Sequence, residues 1–185
     1  MYIMKTKQII GLAILLSVIG LGHASVTLAL NADDEIQPPE LPPACASLQV
    51  DAGNEVAFHV YAIGVQIYRW NGTAWDFVAP EANLFADAGY HGKVGTHYAG
   101  PTWESNSGSK VIGRRIAGCP GGPNAIDWLK LEKVTTDGAG IFADITFIQR
   151  VNTAGGVKPT TPGTTVGEQA KIPYTTEYYF YRAED

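Results

Sequence analysis

Residues 55–78 read EVAFHVYAIGVQIYRWNGTAWDFV, and the polarity changes side at almost every step. Val56, Phe58 and Val60 fall on one side of an extended chain, and Ala57, His59 and Tyr61 on the other. A period of two suits a half-buried strand and gives a helix no apolar stripe. Asn71-Gly72 lies within the run, and that dipeptide between alternating segments is the strongest short-range signal for a β-hairpin. A two-residue turn at 71–72 predicts the pairs Trp70 with Thr73, Tyr68 with Trp75 and Gln66 with Phe77. It gathers Tyr68, Trp70, Trp75 and Phe77 on one face and Val65, Ile67, Ala74 and Val78 on the other. The aromatic face is either core or a ligand platform, and core is favoured because cross-strand aromatic pairs are ordinary sheet chemistry.

The pattern recurs along the chain. Residues 109–117 (SKVIGRRIA), 125–135 (AIDWLKLEKVT), 141–151 (IFADITFIQRV) and 171–182 (KIPYTTEYYFYR) read as further strands. They are separated by GCPGGPN, by Asp137-Gly138, and by a long Gly/Pro/Thr loop at 152–169. The last segment puts Ile172, Tyr174, Thr176, Tyr178 and Phe180 on one side. No long amphipathic helix, heptad or internal repeat is present. The expected fold is all-β, an antiparallel β-sandwich or β-barrel of about 7–9 strands with little helix.

The chain opens with Lys5 and Lys7, the apolar run 9–21 and the small-residue exit Gly22-His23-Ala24. That is the pattern of a cleaved signal peptide over 1–24, with an apolar stretch too short to span a bilayer comfortably. A second cleavage point would follow Ala32. Residues 25–43, acidic and Pro-rich, read as an exposed lead-in, and 44–185 as a single β-rich domain. The expected location is secreted or periplasmic. Cys45 and Cys119 then meet an oxidising compartment, where one disulfide is the default. With 18 acidic residues against 13 basic ones and no basic cluster, a nucleic-acid or anionic-membrane partner is not expected. The mature form is expected to have no membrane span.

Residues 89–104, GYHGKVGTHYAGPTWE, concentrate side chains capable of chemistry in a Gly/Pro-shaped loop. His91 and His97, with His59 from the first strand, are the candidate metal ligands. The H-x5-H spacing matches neither one face of a strand nor one face of a helix, so nothing in it requires a metal. As acid–base chemistry, His97 with Glu104 or Asp87 is the available pairing, and His97 and Glu104 are the catalytic candidates. Glu55, Glu81, Asp87 and Glu104 supply carboxylates for glycoside cleavage in a number expected by chance. Residues 107–110 match S-x-x-K, but no S-D-N or K-T-G element accompanies them. There is no G-x-S-x-G, no Walker A and no dinucleotide fingerprint, and no cofactor is predicted.

Seven landmarks occur in order: G-x-Q-x-Y at 64–68, APEANLF from Ala79, G-x-H-Y-x-G-P-T-W ending at Trp103, Gly108-Ser109, AIxWL at 125–129, RVNTxGG at 150–156 and PYxxxYYFY from Pro173. Together they resemble a secreted family of bacteria and fungi known as domain of unknown function 3455. The likeness runs from Cys45 to Arg182 and implies a compact secreted β-rich domain, without an activity or catalytic residues. Some fungal relatives carry a dehydrogenase label, which this chain, lacking a nucleotide fingerprint, does not inherit. Asp127 stands where the family pattern leads one to expect proline.

The function expected is a binding module for a small molecule or glycan, with His97, Tyr98 and Trp103 and the aromatic residues Tyr68 and Trp75 as walls of a pocket. The alternatives are a metal-assisted or histidine-based hydrolase or isomerase, and a structural or stress-related envelope protein without a ligand.

Overall fold

The computed structural model describes residues 36–184. The segment expected to be a signal peptide, 1–24, lies outside the described residues, as does most of the lead-in. After a short 3-10 helix (Pro43–Leu48) come eight strands: β1 (Asn54–Trp70), β2 (Trp75–Phe85), β3 (Lys93–Tyr98), β4 (Thr102–Ser105), β5 (Lys110–Cys119), β6 (Trp128–Asp137), β7 (Ile145–Gly155) and β8 (Gln169–Ala183). Each runs antiparallel to its predecessor, and β8 pairs back onto β1, closing the sheet into an up-and-down barrel. The all-β expectation holds in its barrel form. Closure leaves no long edge strand to template pairing with another chain. Among the described residues no helix is long and apolar enough to cross a membrane.

The alternation read from the sequence decides what faces inward. Val60 and Ala62 of β1, Leu84 of β2, Val111 of β5, Ile148 of β7 and Phe180 of β8 meet in the interior, each at most 5% exposed. At about 25 cal/mol per Å² of apolar surface, this cluster is the main stabilising mass of the fold. Phe142, from the β6–β7 connection, plugs this end of the barrel, and its backbone N–H donates to Ser109 Oγ at 3.1 Å.

Because the strands alternate in direction, the connections 71–74, 99–101, 120–127 and 156–168 all emerge at the opposite end. Two features leave that end open. β3 and β4 have only 6 and 4 residues, and their ladders reach only Ala82 on β2 and Ile112 on β5. Above them, residues 75–80 of β2 pair on the β1 side alone, with Val78 left out in a bulge. Pro80, which has no N–H to donate, is tolerated there for that reason. The wall above the β3–β4 hairpin is therefore interrupted.

Strand β1 is 17 residues long, roughly 55 Å at ~3.3 Å per residue, and has to coil to follow a small barrel. Gly64 marks the tight point: a methyl group built on it would overlap the Glu81 carbonyl oxygen and lie 2.5 Å from the Ala82 Cα. On the outside, the 3-10 helix packs against β5 and β6, with Cys45 and Cys119 joined by a disulfide at a Cα–Cα distance of 5.3 Å. Gln149 Nε2 donates to the Leu48 carbonyl at 2.7 Å and Lys130 Nζ to that of Gln49 at 2.8 Å, fastening the same arm.

Two local expectations are corrected. The β1–β2 turn has four residues, and the pairs are Trp70 with Trp75 and Tyr68 with Phe77. Asn71 Oδ1 accepts from the backbone N–H of Thr73 and Ala74, both at 2.8 Å, so the asparagine builds a wider turn than Asn-Gly alone specifies. The stretch 89–104 is a hairpin, β3 and β4 about the turn 99–101, in place of the expected loop. Gly100, at φ +96°, and Pro101 shape that turn.

Candidate functional site: a cavity at the open end of the barrel

Above the apolar cluster the barrel encloses a cavity of about 550 Å³. Its walls are inward-facing strand residues: Gln66 and Tyr68 from β1, His97 from β3, Trp103 from β4, Arg150 from β7 and Tyr178 from β8. Leu129 and Leu131 of β6 add apolar surface, and Phe77, Pro80, Pro101 and Val157 stand around the opening. The β7–β8 loop folds over one side of this end. Tyr68 Oη donates to the Gly156 carbonyl at 2.6 Å and Trp75 Nε1 to that of Thr161 at 2.8 Å.

His97 and Trp103 form the base of the cavity. They are directly opposite in the β3–β4 ladder, and their rings stack with centroids 4.3 Å apart. The edges of Tyr178 and Phe180 meet Trp103 at 5.3 and 6.0 Å. His97 Nδ1 lies 2.9 Å from the Thr102 carbonyl, which can only accept, so Nδ1 carries the hydrogen and Nε2 the lone pair. Burial pushes the imidazole pKa down to about 3 against the Thr102 hydrogen bond, which raises it, and the positive charge of Arg150 adds a smaller push downward. His97 is a neutral ring at physiological pH.

Arg150 is the centre of the polar chemistry. Its Nε and Nη2 both donate to the Asp127 carbonyl, at 3.1 and 2.8 Å. The Asp127 carboxylate turns outward to Arg115 Nη2 at 3.1 Å. Gln66, Trp103 and Tyr178 line the same space, and their Nε2, Nε1 and Oη atoms are buried without a hydrogen bond of good geometry, although Tyr178 lies close to Tyr174 and Arg150. Tyr174 Oη, close to Tyr178 and Gln66, likewise makes no hydrogen bond of good geometry. Desolvation drives the Tyr174 and Tyr178 phenols up, so both are protonated donors. Buried polar groups are nearly always satisfied, and a cluster of exceptions in one cavity marks a place built for something else.

The family model described as a protein of unknown function (DUF3455) matches residues 51–182, a span that includes every residue lining the cavity. The chain belongs to the DUF3455 family. No curated protein and no solved structure matches it.

In this DUF3455 barrel the residues singled out from the sequence go to different places. His97, Trp103 and Tyr68 line the cavity. Trp75 packs beside Trp70 beneath the β7–β8 loop, at a ring distance of 5.5 Å. Tyr98 and Glu104 face the other side of the sheet, since Thr96 opposes Glu104 while His97 opposes Trp103. There Tyr98 Oη donates to Glu104 Oε2 at 2.6 Å, and Lys110 lies 3.7 Å from Glu104 Oε1. The sheet thus stands between His97 and Glu104. The histidines disperse too. His59, outside the barrel on β1, stacks on Tyr179 at 4.1 Å and contacts Glu177 at 3.0 Å, and His91 sits in an exposed turn 3.2 Å from Asp87. Among the described residues no group of three or more His, Cys, Asp or Glu is placed to hold a metal ion.

Arg150, Gln66 and Asp127 were not among the candidate site residues, Asp127 having stood out only for standing in place of a proline. A signal existed for two of them. The inward parity of β1 runs Val60, Ala62, Gly64, Gln66, and that of β7 runs Ile148, Arg150, so each strand carries a polar residue on its core face near the same end. Asp127 gave no such signal, because it holds Arg150 through its main chain.

Proposed function

We propose that this chain is a small-molecule binding module whose ligand occupies the barrel interior, and that it works outside the cytoplasm. The observation that carries the reading is the cavity itself. About 550 Å³ falls within the usual range of ligand pockets, and its walls combine apolar surface with a few convergent polar groups, the usual composition of such sites. Eight strands give a barrel interior that is either filled by side chains or holds one small ligand, and here only the lower part is filled. A glycan chain is better served by an open groove than by an internal space, so a compact ligand is favoured over an oligosaccharide. The separation of His97 from Glu104 favours binding over acid–base catalysis by that pair. The Cys45–Cys119 disulfide supports an oxidising compartment.

The test is thermal-shift screening of the purified mature chain against a panel of small amphipathic molecules, with Leu129→Trp as the partner variant. Leu129 lines the cavity and is only partly buried, so an indole there fills space that a ligand would need. Ligands that raise the melting temperature of the wild type and not that of Leu129→Trp are expected. A panel without any response, or one to which both proteins respond alike, removes the interior-binding reading.

A further inference from the structure

We infer that the ligand is a small organic anion, a carboxylate on an apolar or aromatic body, with Arg150 as the residue that receives the carboxylate. This rests on the interior-binding reading above and adds the chemistry of the ligand.

Charge is the first ground. The chain as a whole is acidic, with a formal net charge of −5. The cavity inverts that sign: Arg115, Arg150 and Lys158 line it against one carboxylate, Asp127. Asp127 is spoken for by Arg115 at the opening. Arg150 lies deeper and makes its two hydrogen bonds to a neutral main-chain carbonyl, and among the described residues no carboxylate lies within ion-pair distance of it. A half-buried guanidinium without a counter-charge is costly to hold, and its planar fork matches a carboxylate in two-point geometry.

The second ground is the set of donors left without a hydrogen bond of good geometry. Gln66 Nε2, Trp103 Nε1 and Tyr178 Oη, on side chains at most 2% exposed, are all able to donate, and these residues line the space that Arg150 lines. A ligand that satisfies them has to be rich in acceptors at one end. Two carboxylate oxygens offer about four acceptor sites. The remaining surface, Leu129, Leu131, Ile126, Val157 and Phe77, asks for an apolar body at the other end. Inorganic phosphate or sulfate would meet the donors and leave that surface uncovered.

Matched acids and amides decide the question. Benzoate, cinnamate and 2-naphthoate, each beside its primary amide, are titrated into the mature chain at pH 7.5 and fixed ionic strength by calorimetry. At least one acid is expected to bind at least about tenfold more tightly than its amide, the discrimination a charge-assisted two-point contact supports. Arg150→Met is expected to erase that preference while amide binding persists. Arg150→Lys, which keeps the charge without the fork, is expected to retain a reduced preference. Acids and amides bound equally well would overturn the anion inference and leave interior binding standing. No heat from any of the six compounds would overturn the inference, whereas interior binding is judged by the wider panel with Leu129→Trp. A full acid preference in Arg150→Met would remove Arg150 from its role. Should neither variant fold, the acid–amide comparison on the wild-type chain decides alone.

Discussion

His97 lies flat against Trp103, ring centroids 4.3 Å apart and planes 14° from parallel, because the two residues are directly opposite in the β3–β4 ladder. The short hairpin thereby performs two tasks at once. Its inner face closes the lower cavity with a pair of stacked rings, and its shortness leaves the wall above it open. The Thr102 carbonyl fixes the imidazole hydrogen on Nδ1, so the ring presents its π-face to the indole and its lone pair on Nε2.

A buried neutral histidine makes stability depend on pH. The folded-state pKa, about 3, lies below the ordinary value of 6.5, so between these values the unfolded chain binds the proton and the folded chain does not. Stability from this group is complete above pH 6.5 and declines as pH falls towards 3, by roughly 1.4 kcal/mol per unit at most. Urea unfolding of the wild type and His97→Asn at pH 7.5 and 4.5 checks this. The drop between the two pH values is expected to be about 2.7 kcal/mol larger in the wild type, two pH units at about 1.4 kcal/mol each. Equal drops would show that His97 takes up its proton without unfolding.

Trp103 is 1% exposed and is touched by His97, Tyr178 and Phe180. Trp103→Ala is expected to lower unfolding free energy by about 3–5 kcal/mol, the range for deleting a large buried aromatic side chain. Chemical denaturation with an unchanged m-value is the measurement. A loss below about 1 kcal/mol would mean that the base of the cavity collapses to fill the space.

The strands and their inward faces were legible because a period of two survives any detail of turn geometry. Phe58 and Val60, and Tyr174, Thr176, Tyr178 and Phe180, could be assigned to one side by counting alone, whereas the expected place of Val56 beside them is corrected: a bulge between Val56 and Phe58 turns Val56 to the outer cluster with Val50 and Tyr181. Barrel against sandwich was not legible, since it depends on β8 reaching β1, a pairing of Asn54 with Ala183 that no local pattern encodes. The β1–β2 register was misread because Asn-Gly serves both a two-residue turn and the wider turn that Asn71 caps here. The relation of His97 to Glu104 turned on the length of the 99–101 turn, and one residue more or fewer would have changed which faces they share. Arg150 was visible as a charge on a core face, but its anchor, a main-chain carbonyl, has no sequence signature.

The disulfide closes a sequence separation of 74 residues. Chain-entropy reasoning assigns such a loop about 4 kcal/mol, and the tethered arm adds the contacts of Leu48 and Gln149. The Cys45→Ser, Cys119→Ser double variant is expected to unfold at a lower urea concentration by that order while keeping a β-rich far-UV spectrum. If its midpoint matches that of the oxidised wild type, the clip does not limit the unfolded chain.

Gly64 tests the barrel geometry itself. A Cβ there would run into backbone, the Glu81 carbonyl and the Ala82 Cα, and backbone in a closed sheet has nowhere to retreat without breaking the β1–β2 ladder. Gly64→Ala is therefore expected to cost about 3 kcal/mol, the upper end of ordinary overpacking. Gly53→Ala is the control: Gly53, at φ +83°, has nothing within 4 Å of its Cβ position, so only the left-handed backbone penalty of about 1–2 kcal/mol applies. Urea midpoints of the two variants should thus fall in the order wild type, Gly53→Ala, Gly64→Ala. The reverse order of the two variants would place the tight point of β1 elsewhere, because a methyl group would then have been accommodated where β1 and β2 approach most closely.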